Sequence, residues 1–262
     1  EISVGDEVKT HSGRYMPVAK VHRTKKQNVV KLHVSGAEDI ICTGNHPFWT
    51  VEKLYSFLNK KGPRTISEPK WKPACELNNS CMIAYKVDSS TLPDDFISET
   101  EAWALGRYIA DGSVDLKKST PRIFISVGDR KIEEARGHLY KLPYEIHENK
   151  PHSSATNFVF TSQEFYNLVA GVGIGAGNKE IPPFVFQLPV KLQRCILDGY
   201  ASGDGYCRVR GANMEFACST ASRKLAYGIA RMIRNVYHVG ANIAVHPPKN
   251  GNINGRTIKA NY

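Results

Sequence analysis

Residues 104–112 read Ala-Leu-Gly-Arg-Tyr-Ile-Ala-Asp-Gly, and residues 197–205 read Leu-Asp-Gly-Tyr-Ala-Ser-Gly-Asp-Gly. A shift of 93 residues lays Gly106 on Gly199, Asp111 on Asp204 and Gly112 on Gly205. The same shift continues downstream, with Ser126 on Ser219, Arg130 on Arg223, Lys131 on Lys224 and Ile132 on Leu225. Seven pairs at one offset make an internal repeat.

Each copy reads as helix, Asp-Gly, strand, helix. The capping box Ser98-x-x-Glu101 opens a helix over Glu101–Ala110, followed by a strand at Arg122–Val127 and a helix at Arg130–Leu139. In the second copy Pro189 leads into a helix over Val190–Ser202, then a strand at Met214–Thr220 and a helix at Arg223–Tyr237. The first copy continues past Phe158–Phe160 into a helix at Gln163–Val169, a stretch with no counterpart in the second. A duplicated αββα unit predicts a pseudo-dimer about an approximate twofold axis. Gly106 and Gly199, lacking side chains, would let two helix backbones approach closely. Asp111 and Asp204 would then emerge together. Two neighbouring carboxylates repel and have raised pKa values unless divalent cations neutralise them. That pairing suits metal-dependent phosphodiester hydrolysis on both strands of a duplex. The plainer alternative makes each Asp-Gly an ordinary helix-ending turn.

The chain of 262 residues carries 35 Lys+Arg against 25 Asp+Glu, a formal +10. Residues 206–262 hold nine basic residues and the single acid Glu215, so most of the excess lies in the last fifth. A polyanionic partner is one reading of that excess, and a solvated basic surface is the other. No stretch approaches about 18 apolar residues. The N-terminus Glu-Ile-Ser-Val-Gly-Asp lacks the basic-then-apolar layout of a signal peptide. These features argue against membrane spanning and export, and predict an intracellular, cytoplasmic protein, in the nucleoid or nucleus where it meets DNA. The six cysteines form no CxxC pair, which argues against structural zinc and for reduced thiols.

Residues 1–87 have a different texture. Met16–His22, Val29–Val34 and Asp39–Thr43 read as short strands between turns, the stretch from Lys60 to Lys72 as a Pro- and Lys-rich loop. No helical period appears before residue 97. The boundary falls near Val87–Pro93, giving domains of 1–87 and 88–262, with repeat copies at about 95–170 and 188–262. The glycine run Gly171-Val-Gly-Ile-Gly-Ala-Gly177 breaks the phosphate-loop pattern, since Lys179 follows Asn178 and precedes Glu180. It reads as a flexible approach to Lys179.

The two quoted motifs resemble those of LAGLIDADG (dodecapeptide-type) homing endonucleases, over roughly residues 95–262. Lys179-Glu-Ile-Pro182 resembles the K-x-I-P block of intein-encoded members, and Phe216–Gly240 their block after the second motif. Val4-Gly-Asp-Glu-Val8, Thr43-Gly-Asn-His46-Pro and Trp71-x-Pro-Ala-x-x-Leu77 resemble the Hint fold of inteins. Together these imply an α+β chain: an all-β Hint-like module, then a pseudo-twofold αββαββα endonuclease domain with two saddle-shaped antiparallel sheets. They imply double-stranded DNA as partner, a monomer acting as a pseudo-dimer, and Mg²⁺ or Mn²⁺ as cofactor, two or more ions shared with the scissile phosphates. Asp111 and Asp204 would hold the ions with Gly112 and Gly205 beside them. Lys179 would be the basic active-site residue and Lys224 the candidate for the second site, although Lys131 and Lys224 could equally be exposed helix lysines. The strands would lie in the major groove, which carries the fuller base code. Arg122, Arg208, Arg210, Arg223, Lys249 and Arg256 are the candidate DNA contacts. Thr43 and His46 match the block that assists the first acyl shift of splicing. The chain has neither an initial Cys or Ser nor a terminal His-Asn, so splicing by these residues alone is not expected. The competing functions are a DNA-binding module of the same fold that does not cut, and a splicing-active intein should the native chain extend at both ends.

Overall fold

The structure is a computed structural model. It describes residues 2–10, 14–23, 28–54, 65–85, 87–117, 119–152, 154–210, 213–246, 251–253 and 256–258, with the backbone only for 9, 54, 65, 151–152, 207–208, 210, 213–214, 251–253 and 256–258. The chain divides into two compact units, Glu1–Asp88 and Ser89–Tyr262.

The first unit is built from short antiparallel strands. β1 (Glu7–Lys9) pairs with β2 (Tyr15–Pro17), and β3 (Val29–Leu32) with β4 (Ile40–Thr43). The longest strand, β5 (Pro47–Leu54), takes β6 (Thr65–Ile66), β7 (Lys70–Pro73) and β8 (Cys81–Ile83) as partners. Part of the stretch read as a loop, Lys60 to Lys72, is therefore strand. Trp71 pairs across from Trp49 with ring centroids 5.1 Å apart. Such cross-strand aromatic pairs stabilise a sheet by up to about 1 kcal/mol. Pro73 falls at the end of β7, where a missing N–H is tolerated. This unit buries few side chains, Thr50 and Ala74 among those described.

The second unit has the core. Ser98 opens α1 (Glu99–Asp111) with the capping box expected, its hydroxyl accepting from the Glu101 N–H while the Glu101 carboxylate accepts from the Ser98 N–H. Residues 102–109 of α1 are all buried, as befits a helix that is largely apolar on every face. β9 (Gly112–Asp115) follows without a gap. β10 (Arg122–Gly128), α2 (Ile132–Leu139), β11 (His147–His152), β12 (Ala155–Thr161) and α3 (Gln163–Val169) complete the first copy. Its strands form one antiparallel sheet in the order β11-β12-β10-β9. Along β10 the inward residues Ile123, Ile125 and Val127 are fully buried, and Arg122, Phe124 and Ser126 line the open face.

The second copy runs α4 (Val190–Asp204), β13 (Gly205–Arg210), β14 (Asn213–Cys218), α5 (Arg223–Tyr237), β15 (Gly251–Ile253) and β16 (Arg256–Ile258). In place of the second single sheet that the resemblance implies, the described strands pair as two separate hairpins, β13-β14 and β15-β16. α5 joins the common core through Leu225, Ile229 and Met232.

α1 and α4 pack against each other at the centre, and the contact is reciprocal. A Cβ on Gly106 would stand 1.9 Å from the Ile196 carbonyl oxygen, and one on Gly199 would stand 2.0 Å from that of Trp103. Trp103 and Ile196 are themselves separated by the repeat offset. Residue i meeting j while the counterpart of i meets the counterpart of j is the signature of an isologous, twofold contact.

Candidate active site at the paired helix ends

The reciprocity extends to the C-terminal ends of the two helices. Asp111 and Asp204 are the last helical residues, and Gly112 and Gly205 leave with nearly identical backbones, φ −86° and ψ 155° against φ −85° and ψ 153°. Their N–H groups donate to Tyr108 O and Ala201 O, again counterparts by offset. Neither glycine is left-handed; each ends its helix in extended backbone. What excludes a side chain is space. A Cβ on Gly112 would lie 2.2 Å from the Tyr108 ring, and one on Gly205 would lie 2.5 Å from Ala201 O and 2.8 Å from Phe216.

The two acids share one locality. A Cβ on Gly203 would stand 3.2 Å from Asp111 Oδ2. The Asp111 side chain is 40% exposed, and Asp204 is half-buried. Burial, then the charge of Asp111, push the Asp204 carboxyl above its usual range.

Lys179 reaches the end of α1. It is 9% exposed. Its Nζ donates to Ile109 O at 2.8 Å and to Ala110 O at 2.7 Å. These are carbonyls of the last turn of α1, where a helix leaves acceptors unpaired. Burial pulls its ammonium below the ordinary lysine range, against the pull of Asp111 and Asp204. Its backbone is fixed by Ser222, the N-cap of α5, whose hydroxyl donates to Lys179 O at 2.5 Å and accepts from Leu225 N–H at 3.2 Å. The glycine run ahead of Lys179 folds through two short 3-10 turns, Ala170–Val172 and Ala176–Asn178. Gly173 takes φ +88°, and a Cβ there would meet Asn178 O at 2.3 Å.

Lys224 is not brought to the acids. Its side chain is 69% exposed and pairs with Glu180 at 3.2 Å. Lys131 serves the second helix end instead, donating to Gly203 O at 2.8 Å, and Gly203 is the counterpart of Ala110. The bond that Lys131 makes to the end of α4 is made at the end of α1 by Lys179. With that place taken, the counterpart Lys224 is left outside.

Two further residues of the site fall outside the sequence reading. Arg107, four residues before Asp111, is 2% exposed; its Nη1 donates to Asp111 Oδ2 at 2.5 Å and its Nη2 to Ser126 O at 2.9 Å. Its counterpart by offset is Tyr200, 1% exposed. The Tyr200 hydroxyl is close enough to Asp204 and Cys218 to feel their charge, yet has no hydrogen-bond partner in proper geometry. The i, i+4 spacing of Arg107 and Asp111 is a readable signal; nothing in the sequence marks Tyr200.

The remaining candidates lie elsewhere. Arg122 starts β10 on the open sheet face, its guanidinium carbon 5.2 Å from the Phe124 ring centroid. On the same face, the Ser126 hydroxyl donates to Asn157 Oδ1 at 2.7 Å. Arg223 opens α5 and lies over the Tyr227 ring at 5.5 Å. Arg208 and Arg210 sit on β13 and Arg256 on β16, with side chains outside the described residues; Lys249 lies outside them altogether. In the first unit Thr43 ends β4, and the His46 N–H donates to Thr43 O at 3.0 Å. The exposed His46 ring stands edge-on to Phe48 with centroids 5.2 Å apart. Cys42, Cys75, Cys81, Cys195 and Cys218 are free thiols. Among the described residues no group of three His, Cys, Asp or Glu could hold a metal, and no helix is long and apolar enough to cross a membrane.

No known protein-family profile matches the sequence. The chain is 25% identical over 233 residues to an iron-sulfur cluster assembly SufBD family protein of Mycobacterium leprae, covering 78% of this chain and 25% of that protein. It is 24% identical over 291 residues to the ATP-dependent DNA helicase Hel308 of Thermococcus kodakarensis, covering 90% and 26%. A replication factor C small subunit of Methanocaldococcus jannaschii is 24% identical over 230 residues, covering 73% and 12%. The chain thus spans about a quarter or less of these three relatives. Among solved structures it is similar to I-DmoI in complex with DNA and Ca (15% identity, 41% of this chain and 58% of that one, TM-score 0.30). It is also similar to the homing endonuclease I-WcaI bound to its DNA recognition sequence (9% identity, 61% and 74%, TM-score 0.37). Structural likenesses this slight carry no weight beside the geometry of the helix ends.

Proposed function

We propose that the chain is a site-specific, metal-dependent homing endonuclease of the LAGLIDADG type, carried within an intein and making double-strand cuts in a long DNA target. The observation that carries this reading is the reciprocal pair of helix ends, which brings Asp111 and Asp204 to one locality near the buried Lys179.

The residues fit a hard divalent cation. Both ligating groups are carboxylates, Asp204 is half-buried with no ion pair to an arginine among the described residues, and a hydroxyl without a well-formed hydrogen bond stands beside it. Two carboxylates make an incomplete shell, which leaves positions for phosphate oxygens and water. When bound, Mg²⁺ or Mn²⁺ would neutralise charge on the scissile phosphate and lower the pKa of an attacking water. Lys179 and Lys131 hold the two helix ends, and so position the acids. The open face of the first sheet, with Arg122, Ser126, Asn157 and Thr161, supplies polar groups at alternate positions for a groove. Across residues 206–262 the +8 charge would supply salt-dependent affinity for phosphates.

The intein context draws on the pattern of relatives. One sequence matches a SufBD family protein, a helicase and a replication factor C subunit, each over a minor part of its length. Proteins with such different names share a segment most simply as an insertion.

The test is incubation with Mg²⁺ or Mn²⁺ and plasmids carrying uninterrupted coding sequences of these three kinds of host. Linear product is expected, falling at least about 100-fold in Asp111→Asn or Asp204→Asn. Binding without cutting under any divalent ion would replace this reading with the second one, a DNA-binding module that does not cleave. The observation favouring that second reading is the Arg107 guanidinium already seated on Asp111.

A further inference from the structure

The backbones of the two helix ends match, so any difference between them lies in side chains. The largest stands four residues before each acid, Arg107 in one copy and Tyr200 in the other. Arg107 is fixed at both prongs of its fork, on Asp111 Oδ2 and Ser126 O, and is almost wholly buried. Its guanidinium places a positive charge directly on Asp111. The second copy makes room for it: a Cβ on Gly203 would stand 2.1 Å from Arg107 Nη1. At the other end, among the described residues, no arginine is seated on Asp204, and Lys179 Nζ is committed to the carbonyls of Ile109 and Ala110. Asp204 feels the charges of Lys179 and Arg107 without an ion pair to either, and beside it stands the hydroxyl of Tyr200, a residue only 1% exposed, which makes no hydrogen bond in proper geometry. Buried polar groups left in this state call for a missing partner.

We infer that the two acids hold cations unequally: Arg107 supplies the positive charge at Asp111 from within the chain, and in the free protein a divalent cation is taken up at the Asp204 side alone, with the Tyr200 hydroxyl in its outer shell. Arg107 is then a positioning residue that sets which half of the site loads first. This rests on the reading of the two acids as a cation site, and its test needs no DNA and no cutting.

The full chain is titrated with Mn²⁺ near neutral pH, free ion being followed by its electron paramagnetic resonance signal. One ion per chain is expected. Asp204→Asn should weaken its binding at least about 10-fold, while Asp111→Asn leaves it within about 2-fold. Tyr200→Phe, which removes only the hydroxyl, should weaken it about 10-fold without lowering thermal stability, an outcome a purely structural tyrosine would not produce. Arg107→Gln should admit a second ion, and Arg107→Lys, which keeps the charge, should not. Uptake of no ion, uptake of two equal ions, or equal losses in Asp111→Asn and Asp204→Asn overturns the inference. A chain that cuts DNA yet binds two equal ions when free refutes it and leaves the endonuclease reading standing.

Discussion

The ends of α1 and α4 have nearly the same backbone and different chemistry. Both finish on aspartate, both exit through a glycine in extended conformation, and both are held by a lysine reaching a last-turn carbonyl. Asp111 nonetheless has a buried guanidinium, and Asp204 a buried phenol with no hydrogen-bond partner. A duplicated backbone reproduces where acids stand, and the side chains four residues earlier decide how much charge each must bear alone.

The common backbone is broken most severely at the helix crossing. Gly106→Ala and Gly199→Ala drive a Cβ to 1.9 Å and 2.0 Å from a partner carbonyl, so the helices must separate. Each should cost about 3 kcal/mol or more in urea unfolding. Equal losses support the reciprocity, and a clear inequality breaks it.

The difference between the ends is tested by neutralising each acid. Asp111→Asn strands the buried Arg107 without its counter-charge. The Asp111 side chain is 40% exposed, so the loss falls short of that for a fully buried pair. It should be roughly 1 kcal/mol by urea unfolding. Asp204→Asn should stabilise at pH 7, because it removes a half-buried acid whose charged form the fold disfavours. The sign follows from the raised pKa. The penalty is fully present above the folded value and is relieved as pH falls through it toward the ordinary 3.8. The advantage of Asp204→Asn should therefore fade on acidification, as measured by melting temperature against pH.

The lysines give a further contrast. Lys179→Met leaves two carbonyls unpaired, and Lys131→Met leaves one. At roughly 1 kcal/mol for each bond lost, the denaturant midpoint should fall about twice as far in the first variant. The smallest effect has the opposite sign. Gly137, inside α2, would have nothing within 4 Å of an added Cβ, and its counterpart by offset is Ala230. Gly137→Ala should raise stability by about 0.5 kcal/mol.

Much of this site is legible in the residues themselves. The offset of 93 sets Gly106 beside Gly199 and Asp111 beside Asp204, and the capping box marks Ser98, because helix period, glycine spacing and caps are local or pairwise patterns. Lys179 stands out through its own short motif. Lys131 rather than Lys224 reaches a helix end for a reason no repeat contains: the repeat makes the two equivalent, and a lysine from outside it, Lys179, breaks the equivalence. The strand at Lys70–Pro73 is illegible because its proline sits at a strand end, and the partner that explains it, Trp49, lies far back along the chain.

Residue order alone dictates two copies of one helix-acid-glycine unit, joined to a strand-rich N-terminal segment, with most of the net charge at the far end. The folded chain adds that Arg107 is committed to Asp111, that the Tyr200 hydroxyl is orphaned near Asp204, and that the second copy's described strands pair as separate hairpins. The division follows from range. Repeats, caps and close-packing glycines are properties of spacing along the chain, whereas the partner of a buried charge depends on which side chain reaches it first through space.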